Sequence, residues 1–303
     1  MALKDIKSKI QATQRTHKVT KAMEAVSAVK MRKTQQAALA GRPYARAALS
    51  ILARLAGSVH LSEHPLAEER NVKRAALVII TSDKGLAGSV NSGVIKAAVE
   101  ALAESLPREE VTVYAFGKKG EEYFARRGYR VAEAFENKRD DVPRSVVKRF
   151  TKDLTEAFAA GEYDEVLVAY SRFRSTFEQV PTVHRLLPLS LESVTQLVQD
   201  IVPQKGKWSE LRAPASPTEY LVEGAYEDVL DAVIPRLVSA SLYHLLLESK
   251  ASEHSARMVA MKNASDKSKE VTQDLTRKYN KARQAAITRE VSEIVGGREA
   301  LAS

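Results

Sequence analysis

The sequence predicts an α/β protein: a long antiparallel coiled coil of N- and C-terminal helices plus a central, doubly wound α/β domain. Three observations lead there. Residues 3–40 and 236–295 contain neither proline nor glycine, and both runs outlast the helices of ordinary domains. Between them, short β-rich runs alternate with amphipathic stretches, the pattern of a mostly parallel sheet covered by helices. Charge is partitioned in the same way. The net charge over 303 residues is +9, but residues 1–60 hold 12 Lys and Arg against two acids and residues 236–303 hold 12 against eight, so the middle is acidic.

The first segment, 1–58, opens with an apolar stripe at Leu3, Ile6 and Ile10, which resumes at Val19, Met23, Val26 and Val29. The intervening "QATQRTHK" offers no large apolar residue for over two turns. At a rise of 1.5 Å per residue, the run 3–40 makes a helix roughly 57 Å long. Gly41-Arg42-Pro43 is expected to kink it before the pattern returns at Tyr44, Ala48, Leu52 and Leu55.

The central domain and its connector occupy 70–218. "AALVII" reads as a buried strand and leads through "TSDKGLAGSVN" into a helix whose inward face is Val94, Ala98, Val99 and Leu102. Asp83, Gly85 and Gly88 belong to this strand-to-helix turn, and both glycines are expected to supply unusual backbone angles. "VTVYAF" is a strand, "KGEEYFARRG" a short helix, "YRVAEAF" a strand, and "VPRSVVKRFTKDLTEAFAAG" a helix ended by Gly161. "YDEVLVAYSRF" and "QVPTVHRLLPL" are strands, and Pro181 assigns the second to an edge. The arrangement is Rossmann-like. Residues 191–218, with three prolines and the single Trp, read as a connector.

The last segment, 219–303, is dominated by a helix expected to begin after Pro235 and to stop at Gly296-Gly297. Its stripe runs through Leu237, Leu242, Leu245, Met258, Met261, Val271, Leu275, Tyr279, Ala282, Ala286, Val291 and Ile294. Spacings of three and four mark a coiled-coil seam. The mate is the N-terminal helix, antiparallel because the chain must return.

Composition and motifs exclude much. With no cysteine, there are no disulfides, thiolate metal sites or thiol nucleophiles. No run of 18 apolar residues suits a membrane span, and "MALKDIKSKI" lacks the apolar core of a signal peptide. "SDKGLAG" matches neither phosphate-binding pattern: Lys84 precedes its glycines, and G-x-G-x-x-G is absent. "HLSEH" fits H-x-x-E-H, but Gly57, Ser58 and Pro65 around it favour a loop over a metal-binding helix. His17, His184, His244 and His254 are scattered, and no paired-carboxylate site can be read. The expectation is no cofactor, no metal and no catalytic residue. Two rival readings are a stand-alone nucleotide-binding α/β enzyme and a basic coiled-coil DNA-binding protein. Charges spread from Lys4 to Arg54 without a compact basic cluster speak against the second.

Three motifs are specific. They are "KVTKAMEAVSAVKMRK", Lys18 to Lys33; "TSDKGLAGSVN"; and "ASEHSARMVAMKNAS" followed by "YNKARQAAITREVSEIVGG" in the last helix. In these the chain resembles, over its full length, the γ subunits of the rotary proton-translocating ATP synthase of bacterial type. The resemblance implies a non-catalytic rotor shaft that couples proton flow through a c-ring to ATP synthesis or hydrolysis on a surrounding ring of three α and three β subunits. It implies the ε subunit as a further partner, one copy per complex, no nucleic acid, and a peripheral position on the cytoplasmic side of the inner membrane. It carries rotor–stator contacts to Lys9, Lys18, Lys21, Met23, Arg283, Gln284, Thr288 and Glu290, and c-ring contacts at the foot to Tyr220 and Glu223. The chain departs from the pattern at Ala87, often Cys in the family, at Gly224-Ala225, where Pro is more usual, and at Arg298-Glu299. Without cysteine, the thiol regulation of chloroplast forms cannot operate.

Overall fold

The computed structural model describes residues 3–40, 64–103, 106–137, 143–190 and 226–302. In chain order these form α1 (Leu3–Ala40), β1 (Ala75–Ile80), α2 (Val90–Ala103), β2 (Val111–Phe116), α3 (Lys118–Ala125), β3 (Arg130–Phe135), α4 (Arg144–Ala159), β4 (Glu165–Phe173), β5 (Gln179–Leu187) and α5 (Tyr226–Ala302). The chain divides into two units, one of residues 1–27 with 257–303 and one of residues 28–256; α1 and α5 contribute to both.

In the second unit the strands lie in the order β3-β2-β1-β4-β5. β1 pairs in parallel with β2 and β4, and β2 with β3, while β5 runs antiparallel to β4. The edge position of β5 accommodates Pro181 as the sequence requires. Strand alternation divides β1 between two cores. Leu77 and Ile79 face α2 and α3, where Val94, Ala98, Leu102 and Phe124 are buried. Ala76, Val78 and Ile80 face the opposite layer, made by Val147, Phe150, Leu154 and Phe158 of α4 and by the first half of α5. After α4, Gly161 takes φ 76°, and Glu162 N–H reaches Ala157 O, a glycine-terminated helix end.

The first half of α5 is therefore a wall of the sheet. Leu230, Ile234, Leu237, Val238, Leu242, Leu245 and Leu246 are buried there. This explains why α5 is apolar enough, by length and composition, to cross a membrane. It also corrects the expected start. The helix begins at Tyr226 and carries Pro235 in its interior. Proline costs about 3 kcal/mol in a helix interior, whereas each buried Leu or Ile contributes about 1.5–3 kcal/mol, and such residues flank Pro235 on both sides. Asp231, whose carbonyl loses its helical donor, is exposed, so solvent can serve it.

The expected stop is also corrected: α5 runs through Gly296-Gly297 to Ala302. Each glycine costs only about 1 kcal/mol relative to alanine, and the helix-forming "REALA" follows. Residues 41–63, with the expected kink and the stripe from Tyr44 to Leu55, lie outside the described residues, as does the connector 191–218.

Two substitutions in this domain should behave oppositely. Gly117 has φ 108°, and a Cβ there would lie 2.1 Å from Thr81 O. Gly85 has no heavy atom within 4 Å of the same position and no positive φ. Gly117→Ala should cost about 3 kcal/mol or more and Gly85→Ala less than about 1 kcal/mol, as read from urea unfolding of the full chain. A second prediction concerns acid. Burial pushes the Asp164 carboxyl upward, but N–H donation from Lys73 and Arg74 and the charges of Arg74 and Arg70 outweigh it, leaving the group below its ordinary value. A depressed carboxyl stabilises the fold above its unfolded value and loses that contribution as pH falls through the folded one. The stability deficit of Asp164→Asn at neutral pH should thus shrink below about pH 4.

Candidate functional site

In open α/β sheets, ligands sit outside the carboxyl ends of the strands, where the strand order reverses. Here that point lies between β1 and β4. The turn after β1 is closed upon itself. Ser82 N–H donates to Asn91 Oδ1 at 2.9 Å, Asn91 Nδ2 donates to Ser82 Oγ at 2.7 Å, and Ser82 Oγ donates to Lys84 O at 2.6 Å. The start of α3, which could bind an anion through its free N–H groups, is engaged too. Lys118 N–H donates to Asp83 Oδ1 and Gly120 N–H to Thr81 Oγ1, both at 2.9 Å, and Lys119 N–H reaches Ser82 O at 3.2 Å. Asp83 Oδ2 accepts the N–H of Asn137, just past β3, at 2.9 Å. One carboxylate thus ties together the ends of β1 and β3 and the start of α3.

The glycine expectation is half right. Gly88 has φ 60°, but the other left-handed residue of the turn is Leu86, φ 62°, and Gly85 is not among them. The left-handed angle expected at Gly85 is thus taken by its neighbour Leu86, which is exposed.

The second layer of closure is α5. Its stretch Glu248–Ser255 crosses this edge as a run of polar residues, of which Glu248, Ser249, Lys250, Ser252, Glu253, His254 and Ser255 are all buried. Lys250 Nζ donates to Asn137 O and pairs with Glu253. Ser252 Oγ donates to Ser171 O at 2.9 Å, Ser255 Oγ donates to Thr176 O at 2.8 Å, and Glu248 Oε1 accepts the N–H of Phe173 at 3.2 Å. Sequence reasoning passed over these residues. The signal was present as "ESKASEHS", a charged run within a helix that is apolar before it. His64, from the H-x-x-E-H match, accepts Leu66 N–H at Nδ1, so its proton sits on Nε2, which donates to Asp231 Oδ1 at 3.1 Å; it ties a loop to α5.

The helical unit holds most predicted contact residues. On α1 the buried or half-buried positions include Ile6, Ile10, Thr13, His17, Thr20, Glu24 and Ser27; on α5 they include Met261, Ser265, Ser268, Thr272, Leu275 and Tyr279. Steps of three and four make this a heptad seam. His17 Nδ1 lies 3.0 Å from both Ser265 O and Ser265 Oγ across it. The small hydroxyls turn back on their own helices, Thr20 to Thr16 O at 3.0 Å and Ser268 to Ala264 O at 2.8 Å, and so present methylenes and methyls to the seam.

The predicted stripe holds at Ile6 and Ile10 of α1 and at Met261, Leu275 and Tyr279 of α5, but fails at Val271 and, on α1, from Val19 onward. Val19, Val26 and Val29 are 57%, 54% and 68% exposed, and Met23 is half-buried at the rim. The predicted valines sit next to the seam positions, about 100° round the helix. Size-based periodicity chose the larger residues, whereas close helix approach chose Thr and Ser.

Lys9, Lys18 and Lys21 are exposed, Lys21 pairing with Glu24 at 3.1 Å. Arg283, Gln284, Thr288 and Glu290 are also exposed, with Thr288 Oγ1 donating to Gln284 O at 3.0 Å. In an antiparallel pair with His17 against Ser265, Leu3 comes level with Tyr279. The turns of α5 beyond it have no helix beside them among the described residues, yet Ile287, Val291, Ile294 and Val295 stand 50–72% exposed there. Tyr220 and Glu223 lie outside the described residues.

A family model described as ATP synthase matches residues 2–301. The chain is 38% identical to the ATP synthase gamma chain of Pelotomaculum thermopropionicum and 40% identical to that of Opitutus terrae, each over 300 residues and 99% of both chains. Among solved structures it is similar to a chain of the central stalk and c-ring of the Tetrahymena thermophila mitochondrial ATP synthase, with TM-score 0.57, 25% identity, and 82% and 99% of the two chains covered. A chain of the Euglena gracilis mitochondrial ATP synthase matches in fold with TM-score 0.64 at 17% identity, covering 99% and 94%.

The closed edge yields a prediction. Asp83→Ala removes the acceptor of two backbone N–H groups and should cost about 2–3 kcal/mol, seen as a lower urea midpoint with unchanged slope.

Proposed function

The chain belongs to the ATP synthase gamma-chain family, and on that premise we propose how it engages the other subunits. It has no active site of its own; it is the central rotor shaft of a membrane-associated complex that couples ion transport to ATP chemistry. One observation on the helices supports the contact scheme. Between Thr13 and Ser27 small polar side chains hold the seam while Val19 and Val26 face outward, and past Tyr279 Ile287, Val291 and Ile294 are exposed too, more open apolar surface than a helix pair alone in water favours. Val19, Val26, Ile287, Val291 and Ile294 need a wall, and the ring of three α and three β subunits supplies it.

In this reading residues 1–58 and 219–303 serve the shaft and 70–218 the domain at its foot. The exposed Lys9, Lys18 and Lys21 meet acidic loops of the β subunits, where complementary charge steers contact without a deep interface. Met23, at the seam's rim, is the apolar member of that set. Arg283, Gln284, Thr288 and Glu290 lie past Tyr279, where a single helix leaves all sides open to β-subunit loops. Tyr220 and Glu223 face the c-ring, with ε alongside. The complex sits at the inner membrane of a bacterium, with this subunit on the cytoplasmic side and present once. The closed carboxyl edge disfavours the nucleotide-enzyme reading.

Co-expression with α and β subunits should give a stable assembly containing one copy of this chain; failure to co-purify would end the proposal. Within that assembly, Arg283→Ala combined with Gln284→Ala should lower ATP-driven proton pumping by roughly ten-fold, equivalent to about 1.4 kcal/mol, while assembly persists. Undiminished pumping would remove these residues from the contact set.

A further inference from the structure

The buried polar stretch of α5 does more than close a crevice. At 3.6 residues per turn, Glu248, Ser252 and Ser255 lie within about 60° of one another, while Lys250 and Glu253 lie about 170° away on the opposite flank. The apolar face that includes Leu242, Leu245 and Leu246 lies between them, against the sheet. One flank is held by the β4–β5 hairpin, through Ser171 O, Thr176 O and Phe173 N–H. The other is held by Asn137, whose own N–H is fixed by Asp83 and whose Nδ2 donates to Thr81 O at 2.7 Å. Apolar ridges resist rolling through shape alone, because burial itself is non-directional. Hydrogen bonds lose strength steeply with angle, and bonds on two opposite flanks oppose rolling in either sense.

We propose that Lys250, Ser252 and Ser255, with Glu248 and Glu253, form a torsional clamp that locks α5 against rotation about its own axis within the α/β domain. The proposal rests on the rotor reading. Torque entering through the domain passes into α5, and a helix free to roll in its bed would store or lose that torque as slip. The burial of a lysine has a reason in this reading. An ammonium offers three donors from one point, so Lys250 can hold Asn137 O and Glu253 together where an apolar residue would only fill space. These are positioning residues; none touches a reacting group.

The test uses the assembled complex, immobilised through its catalytic ring, with a bead on a single cysteine introduced as Lys96→Cys on the exposed side of α2. Angular fluctuations of the bead in a paused state report torsional stiffness. Ser252→Ala combined with Ser255→Ala, and separately Lys250→Met, should lower the stiffness roughly two-fold, by loss of directional bonds on one flank, with ATP hydrolysis near wild type. Lys250→Arg, which keeps donors, should recover part of it. Ser255→Ala alone is the mildest arm. Unchanged stiffness in assembled variants would overturn the clamp. So would failure of all variants to assemble, since that assigns the network to folding. A wild-type complex that hydrolyses ATP without rotating would instead overturn the rotor reading itself.

Discussion

Everything in this chain depends on α5 being one unbroken helix with two kinds of neighbour. Up to Leu246 its inward face is apolar and fills the core beneath the sheet. From Met261 onward its inward face is Ser265, Ser268 and Thr272, fitted to another helix. Between these lies the polar run Glu248–Ser255, buried and bonded to backbone on both flanks. The helix survives Pro235 because the surrounding core outweighs it, and it passes Gly296-Gly297 because glycine only permits a stop. Continuity is what a torque-bearing element needs, and local propensity was overridden twice to keep it.

The α/β domain has the topology of a nucleotide-binding fold without the opening. Asp83 and Asn91 take up N–H groups that would face an anion, and α5 lies over the carboxyl edge. In the proposed scheme a fold that elsewhere positions chemistry carries the shaft helix instead. The closed turn and the helix are linked through Asn137, whose N–H is held by Asp83 and whose carbonyl accepts Lys250 of α5.

Much of this was legible beforehand. The strands and short helices were readable because each strand is a compact run bounded by glycine, proline or charge, and the edge placement of β5 followed from one missing N–H at Pro181. The long helices were readable from the absence of breakers. The seam of α1 beyond Ile10 was not. Val19, Met23 and Val26 form a better apolar stripe than Thr13, Thr20 and Ser27, and only close helix packing reveals that small hydroxyl residues bonded to their own backbone occupy the interface. Nor was the role of Lys250 legible, because a lysine between two helical segments normally reads as solvated. The predicted contact residues from Lys9 to Glu290 were reached by resemblance to a family; all but the half-buried Met23 are exposed.

The most direct test of the account is rotation. The chain has no cysteine, so one introduced on the α/β domain gives a unique attachment point on this subunit for a bead, in a complex fixed by its catalytic ring and otherwise free of reactive cysteines. The account predicts stepwise, unidirectional rotation of the bead during ATP hydrolysis. A bead that stays still while the same complexes hydrolyse ATP would contradict it.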